Sequence, residues 1–576
     1  MLKCSEDSRC RKCARVLFVY TEEMLMLKVA LHLFFATLWI PFGAAFAQWT
    51  NDTTSNTPVC RASGDQMHVQ IASDGSGGAI FVWQDNRSGS WNIYAQRIDS
   101  SGVTRWQNNG ILVCNADNAQ NPQLLADGAG GAFITWFDLR GGWPVSGIYV
   151  QRVSANGDLQ WQANGIALTD TASSYAYPMI APDGSGGAVI AWIGYNAEIY
   201  VQKINSAGEA QWTAEGVLAS GSGEVPQVVS DGAGGAILTW YNYDPSYTHT
   251  DIFAQRVSES GKLEWNPAPL PICELDGYQL HPTLVPDDSG GSIIAWLDNR
   301  GSEPYVYAQR VTPDGKTRWE ANGVNVGTHT ASHRVRIMRD GAGGAITAWP
   351  DQNGTRTYAQ RVSKDGEVLW PGDAAVSPAD NGGYPRFASN AASSPVLVWE
   401  GYIALDLRAQ HLNGNGSLAL QPQGVAVATG SYYKSRHSFI LDGRGGIIAT
   451  WEDNRGYNTD IYAQRLFLAL PVTGVEASSG LPQGFALEQN YPNPFNPSTT
   501  IAYMVPDLAD QDPGINIVRL AVCDVLGREV AVLVDEAKAP GSYEVRFDAS
   551  RLSSGVYFYR LTAGRLAQTR AMVYLK

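Results

Sequence analysis

Four times in this sequence a Trp is followed two residues later by Asp and four residues later by Arg: Asp85/Arg87, Asp138/Arg140, Asp298/Arg300 and Asp453/Arg455. A carboxylate and a guanidinium so spaced can hold a polar ligand from one loop, or hold each other and order the loop, since ion pairs between exposed groups are common. Seven other Asp residues (Asp74, Asp127, Asp183, Asp231, Asp287, Asp340 and Asp442) head glycine-rich turns. One carboxylate per turn is poor provision for the roughly six to eight oxygens around calcium, so these read as turn formers. H-E-x-x-H, G-x-S-x-G and P-loop patterns do not occur, and His329 and His333 are expected to share a loop without an acidic partner. The spacing points to no catalytic residue, no metal and no cofactor. A catalytic group assembled from segments far apart in the chain is the alternative.

These residues belong to a repeat. From each turn Asp, nine residues on, comes Trp83, Trp136, Trp192, Trp240, Trp296, Trp349 or Trp451, and Asn390 and Trp399 supply the seventh of eight copies. A Gln follows in each, and ten residues later stands a second Trp: Trp106, Trp161, Trp212, Trp265, Trp319 and Trp370, with Leu420 in the seventh copy. Successive units are 53, 56, 48, 56, 53, 50 and 52 residues apart. Only the seventh copy departs from the pattern, and it loses its Asp and outer Trp with no acid or His gained.

Each unit reads as four strands. In the first, His68–Ser73 alternates, Ala79–Trp83 is apolar throughout, Ile93–Ile98 alternates again, and Arg105–Val113 completes the set. Asp-Gly and the following Gly pair supply a tight turn between the first two. One such sheet cannot bury both faces, so the units must stack. The eighth copy stops after its third strand. Gln48-Trp49 followed by Pro58-Val59-Cys60 matches Arg105-Trp106 followed by Leu112-Val113-Cys114. Trp49 is therefore expected to be the eighth outer Trp, with the N-terminal strand completing the last sheet. The region resembles an eight-bladed β-propeller of no specific named family, without the Gly-His and Trp-Asp pairs of WD repeats or the kelch pattern.

The chain begins with a segment of another kind. Lys28, the apolar run Val29–Trp39 and Ala45-Phe46-Ala47 have the order of a secretory signal peptide, with Met24 or Met26 as the start and residues 1–23 as a mis-set beginning. The formal charge is −14. Removing residues 1–47, with six basic and four acidic residues, takes it to −16. That balance argues against nucleic acid as a partner. Cys60, Cys114, Cys273 and Cys523 remain. The first three share one repeat position in different units, so disulfides are not expected despite export.

The end of the chain differs again. Phe485–Ile501 contains Asn490-Tyr491-Pro492-Asn493-Pro494-Phe495-Asn496-Pro497, and Leu520–Val530 and Gly555–Leu561 carry Gly527 and Gly555. These motifs resemble the type A C-terminal sorting domain of the type IX, or Por, secretion system. Cys523 departs from the aromatic usual before Asp524. The resemblance implies recognition by the type IX translocon, and often removal by a sortase-like enzyme during attachment to the surface. Runs at Ile501–Val505, Ile517–Val525, Glu529–Val534, Gly541–Phe547, Val556–Thr562 and Ala567–Tyr574 suit a small β-sandwich.

The expected chain is thus all-β. Residues 1–47 are leader, 48–470 an eight-bladed propeller of four-stranded repeats, 471–484 a linker and 485–576 an Ig-like sorting domain. It is expected to be a monomer at the outer-membrane surface or secreted through the periplasm. Segment lengths vary between the second and third strands and between one unit and the next, two connections that emerge on one face. They carry Trp91, Trp143, Tyr175, Tyr177, Tyr243, Tyr247, Tyr278, Tyr384, Tyr432 and Tyr433. Insertions on one face mark a binding face. Together with the four Asp/Arg pairs, these rings are the candidate ligand-binding residues, for a glycan or a protein. An extracellular hydrolase or lyase acting on polysaccharide is the second reading, on fold analogy alone.

Overall fold

The computed structural model describes residues 49, 52–116, 118–142, 145–169, 174–244, 246–265, 268–332, 334–379, 381–387, 395–401, 405–468, 486–487, 490, 493, 495–505, 517–524, 528–538, 541–563 and 566–576. The leader expected over residues 1–47 and the linker over 471–484 lie outside them. The chain divides into two compact units, Met1–Thr473 and Gly474–Lys576.

The first unit is built of four-stranded antiparallel sheets, one per repeat. Sheet 1 runs Gln66–Ser73, Ala79–Asp85, Asn92–Ile98 and Ile111–Cys114 in spatial order. The fourth and fifth repeats are linked by a single parallel pairing, Thr250 with Tyr278. The second strand of sheet 1 is buried at all seven positions, as the apolar run Ala79–Trp83 predicts for the first five, and the polar Gln84 and Asp85 are buried with them. The expected fourth strand, Arg105–Val113, is shorter than its sequence suggests. Only Ile111–Cys114 pairs, while Thr104 makes an isolated bridge to Ile98. Between them Gln96 holds the chain in a turn: its Oε1 accepts the Trp106 N–H at 3.2 Å and its Nε2 donates to the Gln107 carbonyl at 2.7 Å. Gly110 ends that turn at φ +92°, and a Cβ there would lie 2.6 Å from the Trp83 ring, so only glycine fits.

The eighth sheet takes its outer strand from the start of the chain. Thr57–Cys60 pairs antiparallel with Asp460–Phe467, Thr57 opposite Ala463. The first strand of each sheet touches the first strand of the next, and Lys434–Leu441 touches Gln66–Ser73. All eight inner Trp side chains are fully buried, from Trp83 to Trp451, between neighbouring sheets.

The second unit holds two sheets, Ala486–Leu487/Ser498–Val505/Gly541–Asp548 and Glu529–Ala537/Ile517–Cys523/Gly555–Ala563/Leu566–Tyr574. Their core is Ile501, Tyr503, Leu520, Val522, Phe547, Tyr559 and Leu561.

Candidate functional site

The glycine-rich turns are structural stations. Asp74 Oδ1 accepts the Ser76 and Gly78 N–H groups at 2.8 Å, and its Oδ2 takes Arg97 Nε and Nη2 at 3.1 and 3.0 Å. Arg97 Nη1 then donates to the Ala155 carbonyl of the next sheet at 2.9 Å. Arg152, Arg256, Arg310 and Arg361 repeat the bridge, and Arg465 of the eighth sheet makes it to Ser100 of the first at 2.9 Å.

The Trp-x-Asp-x-Arg group also closes on itself. Asp85 has no exposed surface. Its Oδ2 accepts Trp83 Nε1 at 2.8 Å and Arg87 Nη2 at 2.6 Å, its Oδ1 accepts Arg87 Nε at 2.9 Å, and the guanidinium lies 3.8 Å over the Tyr94 ring. Arg87 Nη2 reaches Cys60 Sγ, on the outer strand of the eighth sheet, at 3.2 Å. Asp138/Arg140 with Cys114 and Asp298/Arg300 with Cys273 repeat this; in the eighth sheet Arg455 pairs with Asp453 and donates to Asn56 Oδ1 of its own sheet, the Cys position of the preceding sheet being Ala428. Burial works to lower the Arg87 pKa, but the Asp85 carboxylate outweighs it and holds it raised. Burial pushes the thiols of Cys60, Cys114 and Cys273 up to about 12. Of the two readings of this motif, the geometry has the local ion pair, extended into a contact between sheets.

The aromatic candidates lie differently. Tyr177, Tyr243, Tyr247, Tyr278, Tyr384, Tyr432 and Tyr433 are exposed, and Tyr195 and Tyr457, in the same two kinds of connection, join them. Among the described residues of the repeats, every exposed tyrosine sits at these connections. Tyr243 and Tyr247 pack with ring centroids 5.6 Å apart. Tyr175 is half-buried edge-on to Tyr200, its backbone tied to Ser146 Oγ. Trp91 lines an open hollow of about 340 Å³ with Asn86, Gly89, Ser90, Asn118, Leu139 and Gly142. Trp143 lies outside the described residues.

Two sequence expectations need correction. His329 does have an acidic partner: Asp373, 44 residues away, accepts from its ring at 2.7 Å, and the imidazole stacks 3.9 Å from Tyr358. The seventh repeat and its successor do gain acids and a His. Where the residue after the inner Trp is Gln84, Phe137, Ile193, Tyr241, Leu297 or Pro350 in the first six sheets, it is Glu400 and Glu452 in the last two. His437 Nδ1 lies 2.8 Å from Glu400 Oε1 and Nε2 lies 3.1 Å from the Val398 carbonyl. A carbonyl only accepts, so Nε2 carries a proton and the Nδ1–Glu400 contact shares another. Glu452 accepts the His68 backbone N–H at 2.6 Å, and burial pushes its carboxyl up to about 7.

Beside these acids stand arginines. At the register position opposite the residue before the inner Trp, the first strands carry Gln70, Gln123, Met179, Gln227, Thr283, Arg336, Arg386 and Ser438, all partly exposed. Two residues earlier stand His68, Asn121, Tyr177, Val225, His281, Arg334, Tyr384 and Arg436. Six of these have positive φ, 49° to 59°, at a bulge that turns the strand entrance; Arg334 and Tyr384 do not. Burial, then the like charges of Arg386 and Arg334, holds the Arg336 pKa well below its usual value. Motif scanning misses this group because its members share no local spacing; comparing the eight copies column by column is the signal that finds them.

In the tail, Asn490, Asn493 and Phe495 of the proline-rich motif are bonded into the sandwich. The Phe495 N–H donates to the Val573 carbonyl at 3.0 Å, the Leu575 N–H donates back to Phe495, and the Phe495 ring packs against Tyr574 and Phe547. Asn490 Nδ2 donates to Thr499 Oγ1 at 2.9 Å, and Asn493 Oδ1 accepts the Val573 N–H at 2.7 Å. Asn496 and Pro497 are exposed, and Gly555 opens a central strand. Tyr491, Pro492, Pro494 and Gly527 lie outside the described residues.

Residues 489–574 match the secretion system C-terminal sorting domain. The sorting domain directs the protein to the cell surface or out of the cell by the type IX route. No curated protein matches the chain. Solved structures similar to it include a puromycin hydrolase mutant (14% identity, 71% of this chain and 61% of that one, TM-score 0.38). An α-L-arabinofuranosidase from Fusarium graminearum (11%, 51% and 93%, 0.31) and the polysaccharide lyase Uly1 (10%, 64% and 93%, 0.36) are further likenesses. The chain thus spans about 61% of the puromycin hydrolase. At TM-scores of 0.38 and below, none of these likenesses bears on activity.

Proposed function

We propose that the eight sheets are the blades of a closed propeller, delivered by the sorting domain to the cell surface or the medium, where one face binds a glycan or a protein. The observation that carries this is the one-sided distribution of exposed tyrosines over connections that vary in length while the opposite turns keep theirs. Flat rings edged by Asp, Asn and Arg suit stacking on sugar rings or on a peptide. Closure is supported by the pairing of Thr57–Cys60 with Asp460–Phe467 and by the continuous succession of first-strand contacts. The translocon, and a sortase-like enzyme that removes the tail, are the partners in export.

The test is a glycan and cell-wall polymer array probed with residues 48–470, beside the triple substitution of Trp91, Trp143 and Tyr247 by Ala. Binding that disappears in the variant while its melting temperature holds supports this face. Binding that survives it and instead needs the Asp-Gly turns sinks it.

The hydrolase or lyase reading gains one specific observation, the Glu400 and Glu452 carboxyls in adjoining blades, the second pushed up to about 7 by burial. Turnover of an array-positive polysaccharide that stops in Glu452→Gln would favour that reading.

A further inference from the structure

We propose that the place where the sixth, seventh and eighth sheets meet binds an acidic saccharide, Arg336 and Arg386 taking its carboxylate or sulfate and Arg334 and Arg436 flanking them. This deepens the binding reading above and rests on it, because these arginines stand at the strand entrances that follow the variable connections.

Elsewhere in the repeats, arginines at the turns and in the Trp-x-Asp-x-Arg groups are matched to carboxylates, as Arg97 is to Asp74 and Arg87 to Asp85. Arg334, Arg336 and Arg386 differ: among the described residues none has a hydrogen-bond acceptor or an ion-pair partner. Arg386 lies within electrostatic reach of Glu400, and then of Arg334 and Arg436, while Arg336 is within reach only of the like charges Arg386 and Arg334. Gathering like charges on partly buried strands costs free energy that a counter-charge would offset.

The nearby acids do not fill that role. Glu400 reaches Arg386 electrostatically but spends its hydrogen bond on His437, and a carboxyl and an imidazole that hold two protons between them carry no net charge. Glu452 is buried, receives the His68 N–H, and lies 3.7 Å from Arg436 alone of the four. Positive charge is therefore concentrated in three neighbouring sheets of a protein whose overall charge is −14. A polyanion is repelled by most of the surface and attracted here, and the guanidinium fork matches carboxylate and sulfate oxygens.

A saccharide is favoured over an acidic peptide by the rings beside the charges. Tyr384 stands two residues before Arg386 and is 45% exposed, and Tyr432 and Tyr433 lead to Arg436 at 47% and 52%. Exposed flat rings in the segments that lead into these strands give pyranose faces a platform.

The experiment titrates the mature chain with oligogalacturonate, sulfated dextran, neutral dextran and poly-glutamate at low and at physiological salt. Oligogalacturonate or sulfated dextran is expected to bind, weakening as salt rises, and which of the two binds names the acidic group. The R336Q/R386Q variant is expected to lose at least about tenfold in affinity while keeping or raising its melting temperature, because it removes unpaired like charges. R336K/R386K, which keeps charge without the fork, is expected to fall between. Unchanged affinity in R336Q/R386Q, no polyanion bound by the wild type, or poly-glutamate bound more tightly than either saccharide would overturn the proposal. If R336Q/R386Q still binds a neutral polymer of the array through Trp91 and Tyr247, the face reading stands and this one alone fails. If no glycan or protein binds the wild type at all, both fail.

Discussion

Trp49 donates its indole N–H to the backbone carbonyl of Asp99 at 3.1 Å. It is the bond that Trp106 makes to Ala155, Trp212 to Glu259, Trp265 to Pro313, Trp319 to Lys364 and Trp370 to Gly414, each joining an outer strand to the next sheet. In five cases the chain runs forward from one sheet to its neighbour. Trp49 makes the bond from the eighth sheet back to the first, so the start of the chain does there what a continuous repeat does elsewhere.

Trp49→Phe keeps most of the ring packing and removes the donor, leaving the Asp99 carbonyl without that partner. The expected loss is about 1 kcal/mol in chemical denaturation, equal within error to that of Trp106→Phe. Deleting residues 49–60 instead bares the edge of Asp460–Phe467, and soluble aggregates should follow in light scattering. A deletion variant that stays monomeric and equally stable would show that the N-terminal strand is dispensable.

Asp85→Ala leaves the Arg87 guanidinium partly buried without its carboxylate and deprives Trp83 of its acceptor. The expected cost is about 3–5 kcal/mol. Binding to any array-positive ligand should be unaffected below the melting transition. A ligand lost without loss of stability would mean that the Asp85/Arg87 group faces the ligand after all.

The three buried thiols should be silent toward a disulfide reagent in the native protein and react together on unfolding. Burial holds them at about 12 against 9.0 for an exposed thiol, so both states hold neutral thiols below pH 9 and only the unfolded chain ionises above it. Stability should therefore fall as pH rises from about 9 toward 12, and Cys60→Ala/Cys114→Ala/Cys273→Ala should flatten that fall.

Glu452 titrates in a lower window. Its carboxyl is held at about 7 against 4.5 unfolded, so its stabilising contribution is complete below 4.5 and is lost as pH rises through 7. Glu452→Gln should be more stable than the wild type at pH 8, by a difference on the order of 3 kcal/mol, and no more stable at pH 4. Equal melting temperatures at both pH values would mean that the carboxylate is solvated.

Truncation after Gly480 removes the sorting domain. The first unit should fold, and immunodetection on intact cells should find it absent from the surface and the medium and present in the periplasm. Surface delivery of the truncated chain at the full-length level would place the address elsewhere.

The eight copies were legible in the sequence because their order is local: an Asp-Gly turn, an apolar strand ending in Trp and a Gln ten residues before a second Trp each act within a few tens of residues. The sorting motif was legible for the same reason, its asparagines and Phe495 working within one small sandwich. The grouping of Arg334, Arg336, Arg386, Arg436, Glu400 and His437 was not. Arg336 and Arg386 are fifty positions apart, and each by itself looks like any solvated arginine. They become neighbours because both first strands hold the same register beside their own inner Trp, Arg336 opposite Ala348 and Arg386 opposite Val398, and because those two strands then pack side by side. The role of Asp85, counter-ion to Arg87 rather than a group left open to ligand, was likewise decided only by packing. Burial removed the competing water, and with it the alternative that the spacing alone had left open.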